Sequence, residues 1–224
     1  GGTLSGTLSQ TASAGVASFS GLSIDKAGTG YTLTASATGP SSATSAAFNV
    51  TPGTAGTLVF TTQPVSATAG ASFGVVVTAR DAQGNTATDF TGSVTVAIGT
   101  NPGGGTLSGT LSQTAVAGVA TFSGLSIDKS GTGYTLTASA TGPSSATSTT
   151  FNITPGTAGT LVFTTEPTGA VAGVGFGVVV TARDALGNTA TGFTGSVTVA
   201  IGTNPGGGTL SGTLSQTASA GVAS

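Results

Sequence analysis

The chain of 224 residues contains no cysteine, histidine, methionine or tryptophan, and only 4% of its residues are charged. Without histidine and cysteine, Ser–His–Asp and Cys–His catalysis and most zinc sites are impossible. Lysine and arginine together number four, which is too few to neutralise a row of phosphates, so nucleic acid is excluded as a partner. We therefore predict a protein that is not an enzyme and needs no cofactor.

Long hydrophobic runs are also missing. Apolar blocks such as 75–77 span three residues, far below the ~20 that a membrane helix requires. No basic amphipathic segment indicates a membrane surface either, so we expect no membrane insertion. Neither a signal peptide nor an initiator methionine is present, and we expect the sequence to be a window from a longer chain.

Glycine, threonine and serine take the place of charge. The chain has 39 glycines and a net charge of −2, while apolar residues still make up 37%. Disordered chains combine low hydrophobicity with high net charge, and this chain shows neither. The composition therefore predicts a folded protein with a neutral, hydroxyl-rich surface.

The sequence repeats itself with a period of 103 residues. Gln10 matches Gln113 and Gln216, and Asp81 matches Asp184. Fourteen of the 103 aligned positions differ, and five of the fourteen cluster in 65–72. A period of this length is the size of one small domain, so we predict independent domains in tandem rather than a solenoid.

One repeat reads as about seven short strands separated by Gly, Pro, Asn and Asp. In most of them, Val, Ile, Leu or Phe alternate with Thr, which is typical of sheets with one buried face. This pattern predicts an all-β fold in which antiparallel strands form a β-sandwich, with a bulge near Gly124 where the alternation shifts. The predicted strands are 58–63, 73–81, 92–99, 106–114 (one weak strand or two short ones), 119–127, 134–140 and 149–154.

The repeat boundaries divide the chain into three parts. Residues 57–155 hold a complete repeat, 1–52 the C-terminal part of one, and 158–224 the N-terminal part of the next. The linkers contain Pro52 and Pro155 and are so short that we expect a semi-rigid rod.

The segments VTARDAQGNTATDFTGSVTVAI (77–98) and GVATFSGLSIDKSGTGYTLTASA (118–140) resemble bacterial immunoglobulin-like tandem repeats. Such repeats occur in invasin- and intimin-type adhesins and in giant surface proteins. The resemblance implies an immunoglobulin-like sandwich without the tryptophan and disulfide of antibody domains. It also implies that Tyr31 and Tyr134 form tyrosine corners, with each hydroxyl bonded to upstream backbone.

The acidic residues suggest structural roles. Asp25 and Asp81, with their copies Asp128 and Asp184, stand at turn starts, where a carboxylate caps backbone N–H groups. Calcium between repeats is the alternative, because many adhesin repeats of this class use it. Calcium takes six to eight oxygen ligands, and three acidic residues per repeat, one of them replaced by Gly192, are few.

Lys26 and Lys129 are candidates for the lysine–asparagine isopeptide bond that some related pilus modules carry. Each lysine follows an aspartate in a polar turn, so we expect a solvated side chain instead.

These features predict a structural stalk or fibre module of a bacterial protein that is secreted or displayed on the cell surface. Its expected partners are neighbouring repeats or identical chains. The alternative is an adhesive module that binds glycan or a host protein through 65–72 or the NPGGG loop (101–105). Because 1–18 and 207–224 are identical, we expect either a continuous array or head-to-tail completion between chains, and the overlap favours the array.

Overall fold

A computed structural model describes all residues from 1 to 224, and its regular structure consists of β-strands alone. The prediction of an all-β chain is confirmed. Alternating Val, Ile or Phe with Thr suits a pleated strand with one buried face, and Gly, Pro and Asn end the strands. None of the elements is a helix with the length and apolarity needed to cross a membrane.

The strands form three units along the chain. The strands of the first unit are β1 (Leu4–Ser5), β2 (Ser23–Ile24), β3 (Gly28–Tyr31), β4 (Thr34–Ala35), β5 (Ala43–Thr44) and β6 (Phe48–Val50). Those of the second are β7 (Thr57–Thr62), β8 (Ala67–Thr68), β9 (Phe73–Arg80), β10 (Ser93–Ile98), β11 (Leu107–Ser108), β12 (Ser112–Thr114), β13 (Val119–Ile127), β14 (Gly131–Tyr134), β15 (Leu136–Ser139), β16 (Ala146–Thr147) and β17 (Phe151–Thr154). Those of the third are β18 (Thr160–Thr165), β19 (Val179–Arg183), β20 (Ser196–Thr198), β21 (Ser215–Thr217) and β22 (Val222–Ala223).

Residues 57–155 form a sandwich of two layers. One layer has the antiparallel order β11-β13-β9-β7. The other layer contains the ladders β12-β10-β15-β16 and β14-β17-β8, which join because Thr135 alone separates β14 from β15. The pair β8–β17 is parallel, unlike the other strand pairs. This arrangement is an immunoglobulin-like sandwich.

The core of this sandwich contains 20 buried side chains drawn from both layers. Val75 and Val77 of β9 supply one layer, and Val94 and Val96 of β10 supply the other. The intervening Thr95 is exposed, as the alternation requires. Burial of these aliphatic side chains is the main driving force for packing the layers together.

A β-bulge in β13 corrects the alternation, which confirms the prediction near Gly124. The register of β13 against β9 shifts between Phe122 and Leu125, and both side chains are buried. Gly124 has a φ of +71°, a left-handed conformation that glycine adopts without steric cost.

The strand predicted at 134–140 is divided into β14 and β15 and begins earlier than expected. Strand β14 already begins at Gly131, where it pairs with Ile153 of β17. The structure also contains β8 and β16, which the sequence did not indicate because each is two residues long and carries no alternation. The segment 106–114 forms two short strands, β11 and β12, in different layers.

The third unit has a smaller core of four buried residues. Leu161 and Phe163 are 53% and 47% exposed, whereas their counterparts Leu58 and Phe60 are 3% and 4% exposed. The difference arises because Leu58 and Phe60 face a full second layer, which in the third unit consists of β20 and β21 alone.

We predict that Leu136→Ala lowers the free energy of unfolding of the complete sandwich by about 2–5 kcal/mol, because Leu136 is fully buried and its removal leaves a cavity. Val59→Ala is the control, since Val59 is 41% exposed, and we expect it to change stability by about 0.5 kcal/mol or less. Urea unfolding of the whole chain measures both, and equal losses would contradict the core described here.

Candidate functional site

The linker between the first two units is bound to the unit that follows it. Pro52 lies in a segment without regular structure. The N–H of Gly53 donates to Asp81 Oδ2 at 2.8 Å, and the N–H of Gly56 donates to the Arg80 carbonyl at 2.8 Å. A linker that is short and held at two points leaves little freedom between the units.

Asp81 is the centre of the turn that receives this linker. Its Oδ1 accepts the N–H of Gln83 at 2.9 Å and the N–H of Asn85 at 2.8 Å. Its Oδ2 accepts the N–H of Gly53 and, at 2.9 Å, the Asn85 side-chain Nδ2. The carboxylate therefore caps its own turn and also binds the linker.

Asn85 connects this turn to the preceding unit. Its Nδ2 donates to the Asp25 carbonyl at 2.9 Å, and its Oδ1 accepts the N–H of Ala27 at 3.1 Å. In the opposite direction, Lys26 Nζ donates to the Gln83 carbonyl at 2.9 Å. Three hydrogen bonds thus hold a turn of one unit against a turn of the next.

This contact between residues 25–27 and 81–85, together with the linker bond to Asp81, is called the joint. It recurs one repeat later, between 128–130 and 184–188, beside the Pro155 linker. The second joint has the bonds Gly156 N–H to Asp184 Oδ2 (2.8 Å), Asn188 Nδ2 to Asp128 carbonyl (3.0 Å), Ser130 N–H to Asn188 Oδ1 (3.0 Å) and Lys129 Nζ to Leu186 carbonyl (2.6 Å).

Two positions in the joint differ between the repeats, and both contribute only main-chain atoms to its hydrogen bonds. Ala27 is replaced by Ser130, which uses its N–H, and Gln83 is replaced by Leu186, which uses its carbonyl. The joint therefore tolerates these substitutions and depends on the side chains that the two copies share.

The joint stabilises the ionised aspartate at its centre. The Asn85 side chain, assisted by the N–H groups of Gly53, Asn85 and Gln83, lowers the pKa of Asp81 to about 2 despite its burial. At Asp184, burial opposes ionisation, but hydrogen bonds from Asn188 and the neighbouring N–H groups outweigh it, so its pKa also lies below the ordinary value.

Asp25 and Asp128 contribute main-chain carbonyls to the joints. The sequence predicts that their carboxylates cap the turns they begin. The carboxylates instead accept N–H groups from another loop. Thr3 donates to Asp25 at 2.5 Å, and Thr106 donates to Asp128 at 2.6 Å. Nowhere in the chain do three or more acidic side chains come together.

Lys26 is exposed to solvent, as the sequence predicts, and Lys129 is half-buried. Each donates from Nζ to a carbonyl of the next unit, because the turn that carries it faces that unit across the joint. The nearby Asn85 and Asn188 already use both ends of their amides in hydrogen bonds.

The tyrosines support the joint from inside their own units. The buried Tyr134 donates its hydroxyl to the Lys129 carbonyl at 2.8 Å, and Tyr31 donates to the Lys26 carbonyl at 3.0 Å. Because burial removes the Tyr134 hydroxyl from water, its pKa is raised above the ordinary value. Each tyrosine thus holds the turn that the next unit binds.

The NPGGG loop of 101–105 is packed against this tyrosine. Asn101 closes the loop by bonding both the N–H and the carbonyl of Gly105 at 2.8 Å. A Cβ at Gly103 would collide with the Ser130 carbonyl and the Tyr134 hydroxyl, so only glycine fits there. The glycines thus allow close packing of the loop on the turn beside the joint.

Sequence reasoning missed Asn85 and Asn188, which carry most of each joint. A signal was present: both copies keep Asp, Gly and Asn in DAQGN and DALGN while the middle residue changes from Gln to Leu. An asparagine after glycine is typical of a turn, however, so its contact with residues 60 positions earlier was not evident.

Neither a family model nor a curated protein matches the chain. Domains 4–9 of the surface layer protein SbsC share 20% identity with it at a TM-score of 0.36, covering 74% of this chain and 26% of that one. The Escherichia coli adhesin FdeC shares 18% identity at a TM-score of 0.42, covering 80% and 58%. The chain spans less than two thirds of each of these structures, and its fold assignment rests on its own strand pairing.

We predict that Asn188→Ala loosens the second joint. The substitution leaves the Ser130 N–H and the Asp128 carbonyl without partners, at a cost of about 1–3 kcal/mol. Hydrogen exchange at the Ser130 amide should therefore accelerate at least several-fold. Leu186→Gln is the matched control, because residue 186 enters the hydrogen bonds of the joint only through its carbonyl and glutamine occupies this position in the first joint, and it should leave exchange at the Ser130 amide unchanged. Equal acceleration in both variants would contradict the joint.

We also predict that acid weakens the joints. The Asp81 pKa is lowered in the folded state, so its stabilising contribution is complete above the unfolded pKa of about 3.9 and is lost as pH falls towards 2. The thermal midpoint should fall across this interval. Asp81→Asn should lower the midpoint at neutral pH and flatten its dependence between pH 4 and pH 2. An unchanged acid profile in Asp81→Asn would argue against this assignment.

Proposed function

We propose that the chain is a load-transmitting stalk module of a bacterial protein that is secreted or displayed on the cell surface. The observation that carries this proposal is the recurrence of the same joint at both junctions between units. A binding or catalytic role does not require identical contacts between successive domains. A rod requires them, because every junction must hold the same angle.

The joint favours a fixed rather than a hinged connection. Each junction combines a short linker, a bond from that linker to the aspartate, and three bonds between turns. Since both junctions use equivalent atoms, each repeat adds nearly the same translation and rotation to the rod. The length of the rod then grows in proportion to the number of repeats, and no new contact between units is needed.

The chemistry of the joint suits an extracellular setting. Its cross-unit bonds run to main-chain carbonyls and N–H groups, which do not titrate, the Asp81 carboxylate stays ionised down to its pKa of about 2, and the chain as a whole carries little charge to be screened by salt. The two oxygens of the Asp81 carboxylate accept four hydrogen bonds from N–H groups, so we propose that the joint forms without calcium. We likewise propose that the module has no enzyme activity.

An adhesive role is the second candidate. The repeats differ most in 65–72, and this segment exposes apolar side chains, with Val65 65% exposed in one copy and Val171 71% exposed in the other. Variation concentrated in one exposed segment is a feature that a binding surface would share.

We predict that the chain is elongated in solution, with its three units in line. Electron microscopy and small-angle X-ray scattering should show one narrow distribution of angles between units, unchanged by a calcium chelator. The double variant Asn85→Ala/Asn188→Ala should broaden this distribution, whereas Gln83→Leu should not. A compact particle that binds a ligand saturably would instead favour the adhesive role.

A further inference from the structure

The last strand of the complete sandwich is paired in parallel with a short strand close to the start of the same unit. The chain enters the unit at β7 and leaves it after β17, and the short strand β8, just after β7, runs parallel to β17. Tension on the ends draws β8 and β17 in opposite directions along their length. Parallel strands loaded in this way share the load among all their cross-links, whereas strands pulled from one end separate bond by bond.

Besides the backbone pairing of β8 with β17 and a 3.3 Å bond from Thr149 Oγ1 to Gln63 Oε1, four hydrogen bonds connect these strands and their flanking residues, and together these four are called the clamp. Two involve the backbone of β8 and the residue after it: the N–H of Ala69 donates to the Thr154 carbonyl at 2.8 Å, and Thr154 Oγ1 donates to the Ala67 carbonyl at 3.4 Å. The other two end on side chains.

The side-chain bonds of the clamp come from Ser66 and Gln63. The N–H of Asn152 donates to Ser66 Oγ at 3.0 Å. The N–H of Thr149 donates to Gln63 Oε1 at 2.9 Å, and Gln63 is itself anchored because its Nε2 donates to the Phe60 carbonyl at 3.1 Å. Half of the clamp therefore depends on which residues occupy positions 63 and 66.

These two positions lie in the segment where the repeats differ most. Six of the fourteen differences between the copies fall in 63–72. Ser66 is replaced by Gly169, which has no hydroxyl to accept an N–H. Gln63 is replaced by Glu166, whose carboxylate cannot donate to the preceding carbonyl and so loses the anchor.

We propose that the two versions of the repeat differ in resistance to tension: the version with Gln63 and Ser66 is strong, and the version with Glu166 and Gly169 is weak. This inference rests on the proposed load-bearing function. Under rising load, weak repeats unfold first and strong repeats keep the rod intact. Each weak repeat of about 100 residues would release roughly 350 Å of extended chain, which limits the tension that reaches the anchor.

Force-clamp measurements on the whole chain, held by its two ends, test the proposal. The test variant carries Gln63→Glu and Ser66→Gly, and a second variant replaces residues 63–72 with the sequence of 166–175. The test variant loses the Asn152–Ser66 bond and the anchor of residue 63 to the Phe60 carbonyl, and these two losses should raise the unfolding rate of the complete sandwich under constant load about thirtyfold. The control variant carries Gln83→Leu and Asp89→Gly, two differences outside the clamp, and should unfold at the original rate.

Unfolding without load separates a clamp from general destabilisation. In urea, the test variant should show a much smaller rise in unfolding rate than under load. An equal rise in both conditions, or no rise under load, would overturn the clamp. Scattering from the same variants reports independently on the stalk: a rod that persists while the loaded rates stay equal would reject the clamp and leave the proposed function standing.

Discussion

The arrangement of the whole chain depends on one buried carboxylate in each joint. Asp81 satisfies its own turn and the incoming linker at once, and it orients the asparagine that reaches the preceding unit. The low pKa of Asp81 is the thermodynamic sign of this arrangement, since every donor around it favours the ionised form. If the carboxylate were absent, the linker, the turn and the asparagine would have no common point of attachment.

The tyrosine and the aspartate act on opposite sides of the same turn. Tyr134 holds the Lys129 carbonyl from within the core, while the next unit binds the Asp128 carbonyl and the Ser130 N–H from outside. The packed interior of one sandwich is therefore connected to the next sandwich through main-chain groups whose positions are fixed on both sides. The buried tyrosine and the short asparagine have few rotamers to lose, so these two side chains add little entropic cost.

Much of the fold was predictable from residue patterns, and the joint was not. Alternation in 73–81 and 92–99 indicates strands with one buried face, and the shift near Gly124 indicates a bulge, because these signals are local. The parallel strand β8 was missed because two residues carry no periodicity. Asn85 was missed because its partners lie 58 and 60 positions earlier, and a single sequence contains no trace of such pairing.

The joint also has a consequence for how such arrays grow. Every repeat carries both halves of the contact, an Asp–Lys turn at one end and a DxxGN turn at the other. Duplication or loss of a whole repeat in a gene therefore creates no orphaned surface, because any copy fits any neighbour. The number of repeats can therefore change without the evolution of a new interface.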